Sequence, residues 1–169
     1  MRNVKRAGGE ATAQGDRASL SEVPIFASMP PGPRDRLADV ITRLEFEPGV
    51  TFMNEGEVTA SLAVVVRGRV GLRMRVPERG GVTILTLEAG DIVGWSAIVA
   101  PHRATTSATT LEATELAIVD AKTLRSLLAN DCELAAALLP QILDTVVKRL
   151  AATRVQLLDL FQGSEINAW

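Results

Sequence analysis

The sequence predicts an α+β protein whose first part is β-rich and whose last part is helical. Two observations carry this. Between Glu45 and Val119 the apolar residues come in short runs separated by Gly-, Pro- and Asn-containing turns, and from Asp120 onward leucines recur at helical spacing. Many short strands at close turn spacing point to a sandwich or barrel.

Residues 1–18 mix Arg2, Lys5, Arg6 and Arg17 with Gly8, Gly9 and Gly15 and show no periodicity, which predicts a disordered arm. Val23 to Pro33 is an apolar turn ended by prolines. Leu37, Val40, Ile41 and Leu44 then fall at i, i+3, i+4 and i+7, predicting one helix face with Pro33 near its start. Strands follow at Val50–Met53, Leu62–Val66 and Arg69–Val76. In the last, Val70, Leu72, Met74 and Val76 alternate with Arg69, Gly71, Arg73 and Arg75, the pattern of a half-buried strand with a basic outer face. Pro77 to Gly81 forms a hairpin-like turn, Val82–Leu87 returns, and Glu115–Val119 closes the β region.

The stretch from Gly90 to Ala108 joins the two parts. Gly94 followed by Trp95, Ser96, Ala97 and Ile98 predicts a single helical turn whose unpaired amides suit an anion. Arg103 and the hydroxyls of Thr105, Thr106 and Ser107 are further donors. A β-turn and a solvated loop between two core strands account for the same residues at least as well.

Asp120 predicts an N-cap for a helix bearing Leu124, Leu127 and Leu128, and Asn130-Asp131 breaks that helix and caps the next. A proline inside a helix costs about 3 kcal/mol. Pro140 therefore predicts a short helix before it and a long one over 141–161. Leu139, Leu143, Val146, Leu150, Thr153, Leu157 and Leu160 run at alternating spacings of four and three, a heptad seam with one polar step. The seam outruns what one small sandwich can cover, so a homodimer through this helix is expected, with Leu150→Asp weakening it.

Hydrophobic residues make up 47% and charged residues 22% of the 169, which fits one globular domain. The formal net charge of −2 supplies no bulk attraction to nucleic acid or anionic lipid. A single cysteine, Cys132, excludes an internal disulfide framework. No run reaches transmembrane length and no signal peptide is visible, so a cytoplasmic protein is expected. A single histidine, His102, excludes a histidine-rich metal enzyme, and it is expected to be an exposed loop residue. No nucleophile elbow or phosphate-loop motif occurs, so no catalytic residues, metal or cofactor are expected.

The order of motifs resembles the cyclic-nucleotide-binding domain family. Those motifs are Pro48-Gly49, Glu55-Gly-Glu57, Leu62-Ala-Val-Val-Val-Arg-Gly68, a variable hairpin at Glu78–Gly81, and Leu87-Glu-Ala-Gly90-Asp-Ile-Val-Gly94. The resemblance covers about residues 20–161. It implies an antiparallel, jelly-roll-like β-roll flanked by an N-terminal helix and a long C-terminal dimerisation helix. The expected domain is 19–161 with a tail at 162–169. It also implies a ligand site at Gly94, Trp95, Ser96, Ala97, Arg103, Ala104, Thr105 and Thr106. In the family a glutamate takes the ribose hydroxyl and an arginine pairs with the cyclic phosphate. Here Trp95 stands in the glutamate slot. Counting back from Glu115 puts Ala104 in the arginine slot, with Arg103 one position early. Family transcription factors carry a winged helix-turn-helix after the long helix, and Gln162–Trp169 is too short for one. The resemblance thus implies a dimeric sensor domain for a small anionic ligand, a cyclic nucleotide among them, without DNA binding of its own. The alternative is a ligand-free protein-interaction module that keeps the fold.

Overall fold

The computed structural model describes residues 11–12, 23–76 and 80–165, with side chains described up to residue 155 of the last helix. Most of the expected arm (1–18) and residues 166–169 of the expected tail lie outside the described residues. Ala11 and Thr12, placed in the arm by the sequence, form a short strand β1 paired with Leu44 and Arg43.

Two antiparallel sheets make the body. One has five strands in the order β1-β2-β9-β4-β7 and the other four in the order β3-β8-β5-β6. The strands are β2 (Thr42–Phe46), β3 (Thr51–Met53), β4 (Ser61–Arg67), β5 (Val70–Val76), β6 (Gly80–Leu87), β7 (Ile92–Val93), β8 (Ser107–Thr110) and β9 (Thr114–Asp120). Between the sheets Ala63, Val65, Val70, Leu72 and Leu116 pack into one core. Leu62, Val64, Ala117 and Val119 point the other way, into a second core shared with the helices. The central strands β4 and β9 are therefore buried on both faces, which is why they read as continuous apolar runs and not as alternating ones. Gly68 turns the chain from β4 to β5 at φ 87°, where a Cβ would lie 2.5 Å from the Ala113 carbonyl oxygen. Only glycine fits both constraints.

Helices α1 (Pro24–Ala27), α2 (Pro31–Ala38), α3 (Ala121–Asn130) and α4 (Cys132–Glu165) cover the five-stranded sheet. The expected helix through Leu44 ends early. Val40 and Ile41 lie beyond α2, and Leu44 is in β2, where Thr42 to Phe46 pair with Ile118 to Thr114. That five-residue ladder outweighs the helical spacing of four apolar side chains. Both expected caps form: the Asp120 carboxylate accepts from the Thr123 amide at 2.9 Å, and Asp131 accepts from the Leu134 amide at 2.9 Å. Arg36 of α2 grips the same Asp131 at 2.5 Å and Glu133 at 2.9 Å, tying α2 to the start of α4.

Pro140 does not split the last helix, which runs unbroken for 34 residues. Leu134 and Leu138 before the proline and Ile142 after it form one buried ridge, so packing holds the helix through the lost hydrogen bond. Ala136, whose carbonyl loses its intrahelical partner, is exposed, and water can satisfy it. Helix also continues through residues 162–165, where a tail was expected.

Candidate functional site

The segment after β7 is fixed by backbone geometry. Gly94 sits at φ 77°, and a Cβ there would meet the Ser61 carbonyl oxygen at 2.7 Å. The expected helical turn is present as a 3-10 turn over Trp95–Ala97, closed by the Ala97 amide on the Gly94 carbonyl at 2.9 Å. Beyond it, residues 102–104 pair with 56–59. The Thr59 amide donates to the His102 carbonyl, the Ala104 amide to the Glu57 carbonyl and the Gly56 amide to the Ala104 carbonyl, all at 2.8–2.9 Å.

This pairing decides which side chains face inward. Arg103 and Thr105 are exposed, while Ala104, Thr106 and Ala108 are buried, a strict alternation. The Arg103 guanidinium lies on the outer side and donates to the Gly56 carbonyl at 2.7 Å. The small methyl of Ala104, 4% exposed, occupies the inward position. Neighbouring residues of an extended segment face opposite ways, so Arg103 points away from the side that Ala104 takes. The ligand residues expected from the sequence divide accordingly: Gly94, Ser96, Ala97, Ala104 and Thr106 are buried, and Arg103 and Thr105 are exposed. Trp95 is half-buried and packs against the helix-side core.

Of the hydroxyls expected as anion donors, that of Ser107 already has a protein partner, as does that of Ser96 in the turn. Ser96 Oγ is hydrogen-bonded to Thr59 Oγ1 at 2.8 Å in a buried pair, and Ser107 Oγ accepts from the Glu55 amide at 3.0 Å. His102, expected to be exposed, is half-buried at φ 59°, with Nδ1 3.3 Å from the Ser96 carbonyl oxygen.

Sequence patterns missed two arginines that hold this segment from the helices. Arg125 of α3 donates from Nη1 to the Ala97 carbonyl at 2.6 Å. Arg149 of α4 donates from Nη2 to the Ile92 carbonyl. Burial pulls the Arg149 pKa below its ordinary value, with the nearby Asp91 carboxylate opposing. One signal was present in the sequence: Arg149 lies seven residues after the buried Ile142, so it is a charge at a core-facing helical position.

The expected seam divides the same way. Leu143 and Leu150 are 63% and 51% exposed, and Leu139 and Val147 are exposed beside them. Val146 is half-buried. Thr153, the polar step, is exposed and donates to the Arg149 carbonyl at 2.9 Å. The side chains of Leu157 and Leu160 lie outside the described residues. Among the described residues no cluster of metal-ligating side chains occurs, and no helix is long and apolar enough to cross a membrane.

The class of protein is thus defined by a β-roll of two antiparallel sheets, backed by helices and holding a glycine-led turn before a short paired segment. The family model for the cyclic nucleotide-binding domain matches residues 43–131, and the chain belongs to that family. Among curated proteins it is 30% identical over 142 residues to a CRP-like cAMP-activated global transcriptional regulator of Mycobacterium tuberculosis, covering 83% of this chain and 61% of that protein. It is 35% identical over 93 residues to a cAMP-dependent protein kinase regulatory subunit of Yarrowia lipolytica, covering 54% of this chain and 24% of that one. The chain thus spans about three fifths or less of the curated relatives it matches. A cyclic nucleotide-binding domain from Methylobacillus flagellatus shares the fold at a TM-score of 0.78 and 18% identity, over 89% of this chain and 88% of that one. The regulatory subunit of a cAMP-independent protein kinase A from Trypanosoma brucei does so at 0.60 and 20% identity, over 79% and 45%.

Proposed function

We propose that this chain is a cytoplasmic, dimeric regulatory domain in which the Gly94–Thr106 segment takes a small anionic ligand, with weak affinity or none for cyclic AMP. The single observation that carries the weak affinity for cyclic AMP is the facing at 103–104: methyl inside, guanidinium outside. With Trp95 in place of a carboxylate, a cyclic nucleotide loses a charge-assisted bond to its ribose hydroxyl, about 1.5–3 kcal/mol. That corresponds to a complex weaker by roughly tenfold to a hundredfold. Dimerisation through α4 is supported by the exposed Leu139, Leu143 and Leu150, which lie on the far side of the helix from the buried Leu134, Leu138 and Ile142. Both curated relatives are named as regulators, which supports a non-enzymatic role. The net charge of −2 supports a partner other than DNA.

A second reading is a ligand-free interaction module. It is favoured by Arg103 and Ser96 already having protein partners. Thermal shift against a panel of cyclic mono- and dinucleotides separates the two, because a ligand that binds only the native state raises the melting temperature. On the first reading one member of the panel raises it. A flat response across the panel sinks the first reading.

A further inference from the structure

We propose that the groove between α1, the β6–β7 turn and the middle of α4 binds a small organic monocarboxylate on Arg149. The groove encloses about 430 Å³. That lies within the usual range of small-molecule sites, about 300–1,000 Å³. Its residues differ from those of the Gly94–Thr106 segment. Pro24, Ile25 and Leu85 give it an apolar wall, and Lys148, Arg149 and Asp91 give it a polar end.

The polar end holds a cation that no described carboxylate pairs directly. Arg149 is largely buried, and its one hydrogen bond among the described residues goes to a neutral carbonyl, that of Ile92. No described carboxylate lies within ion-pair distance of it. Lys148 beside it is already paired with Asp144 at 2.7 Å. Asp91 is near enough to favour the charged guanidinium, but its Oδ2 accepts from the Glu88 amide at 2.8 Å. A guanidinium does not discharge by losing its proton, so an ion buried this far gains from an external anion.

The chemistry narrows the ligand. The planar guanidinium fork matches a carboxylate's two oxygens. Asp91 and Asp144, which also line the groove, repel a dianion more than a monoanion. The wall of Pro24, Ile25 and Leu85 accepts an alkyl or aryl body. Because Arg149 also holds the Ile92 carbonyl, two residues before Gly94, an occupant of the groove would touch the support of the first site.

Calorimetry on the intact chain tests this with hexanoate, with hexanol as its neutral isostere and with inorganic phosphate. Hexanoate is expected to bind saturably with Kd below about 1 mM, and hexanol and phosphate at least about tenfold more weakly. Arg149→Gln should weaken hexanoate by about tenfold or more, and Arg103→Ala should leave it unchanged. Ala152→Phe keeps Arg149 in the chain and puts a large side chain into the groove, so it keeps the test decisive if Arg149→Gln does not fold; it too should remove binding. The proposal is overturned if wild type shows no saturable hexanoate binding, if hexanol or phosphate binds as tightly, or if binding survives in whichever of these two variants folds. None of these outcomes depends on whether a nucleotide binds near Gly94.

Discussion

The segment Gly94–Thr106 is held from both sides, whereas the outer face of α4 is held by no other described part of the chain. The segment is pinned by the 56–59 pairing, by Gly94 against the Ser61 carbonyl, and by Arg125 on the Ala97 carbonyl. Its backbone is fixed while its side chains face both ways, with Ala104 buried and Arg103 exposed. On α4 the chemistry is present, with Leu143 and Leu150 more than half exposed, and what is absent is a partner surface. The contrast teaches that a binding fold and a binding chemistry are maintained by different residues. Glycines and backbone hydrogen bonds keep the first. The second rests on two or three side chains whose facing a one-residue offset can reverse.

If backbone fixation is what preserves the segment, Gly94→Val should be the most damaging change. It forces a β-branched residue to positive φ and into the Ser61 carbonyl, with an expected loss of more than about 3 kcal/mol in urea denaturation. A loss within 1 kcal/mol, roughly the size of an ordinary surface change, would show that the segment moves freely.

The α4 side of the comparison breaks with Leu150→Asp. A charge placed in an apolar seam should weaken a dimer by about tenfold or more, while leaving the fold in place because the position is exposed. Light scattering and far-ultraviolet circular dichroism together check this. A wild-type monomer at micromolar concentration would remove the dimer altogether.

A smaller effect is expected at the junction of roll and helices. Asp120→Ala should cost about 1 kcal/mol by loss of the helix cap. The Thr123 amide, first among several causes, holds the Asp120 carboxyl below its ordinary pKa, and the Leu134 amide does the same first for Asp131. A carboxyl whose pKa is depressed in the folded state stabilises fully above its unfolded value of about 4 and loses that contribution as pH falls through the folded value. Stability of the wild type should therefore drop more steeply below about pH 4 than that of the Asp120→Ala variant. Parallel pH profiles would contradict this.

Much of the fold was legible because its signals are local. The run Leu62–Val66 announced a strand, and Asp120 and Asp131 announced their caps within three residues of the amides they bind. The failures have a common cause. Leu37, Val40, Ile41 and Leu44 carry helical spacing, but pairing with β9 decided the matter for Leu44. Pro140 looked like a break, but the ridge from Leu134 to Ile142 carried the helix across it. The facing of Arg103 depended on pairing with Val58. Arg125 and Arg149 reach carbonyls 28 and 57 residues away in sequence, and helical spacing could mark Arg149 as core-facing without naming its partner.

The central claim is that the segment keeps the family's geometry without its ligand chemistry, and calorimetry with cyclic AMP tests it most directly. The wild type should bind with Kd no tighter than about 10 μM. The double variant Trp95→Glu, Ala104→Arg restores a carboxylate and an inward cation on the same backbone, and should bind at least about tenfold more tightly. Submicromolar binding by the wild type would contradict the account, as would a folded double variant with no gain.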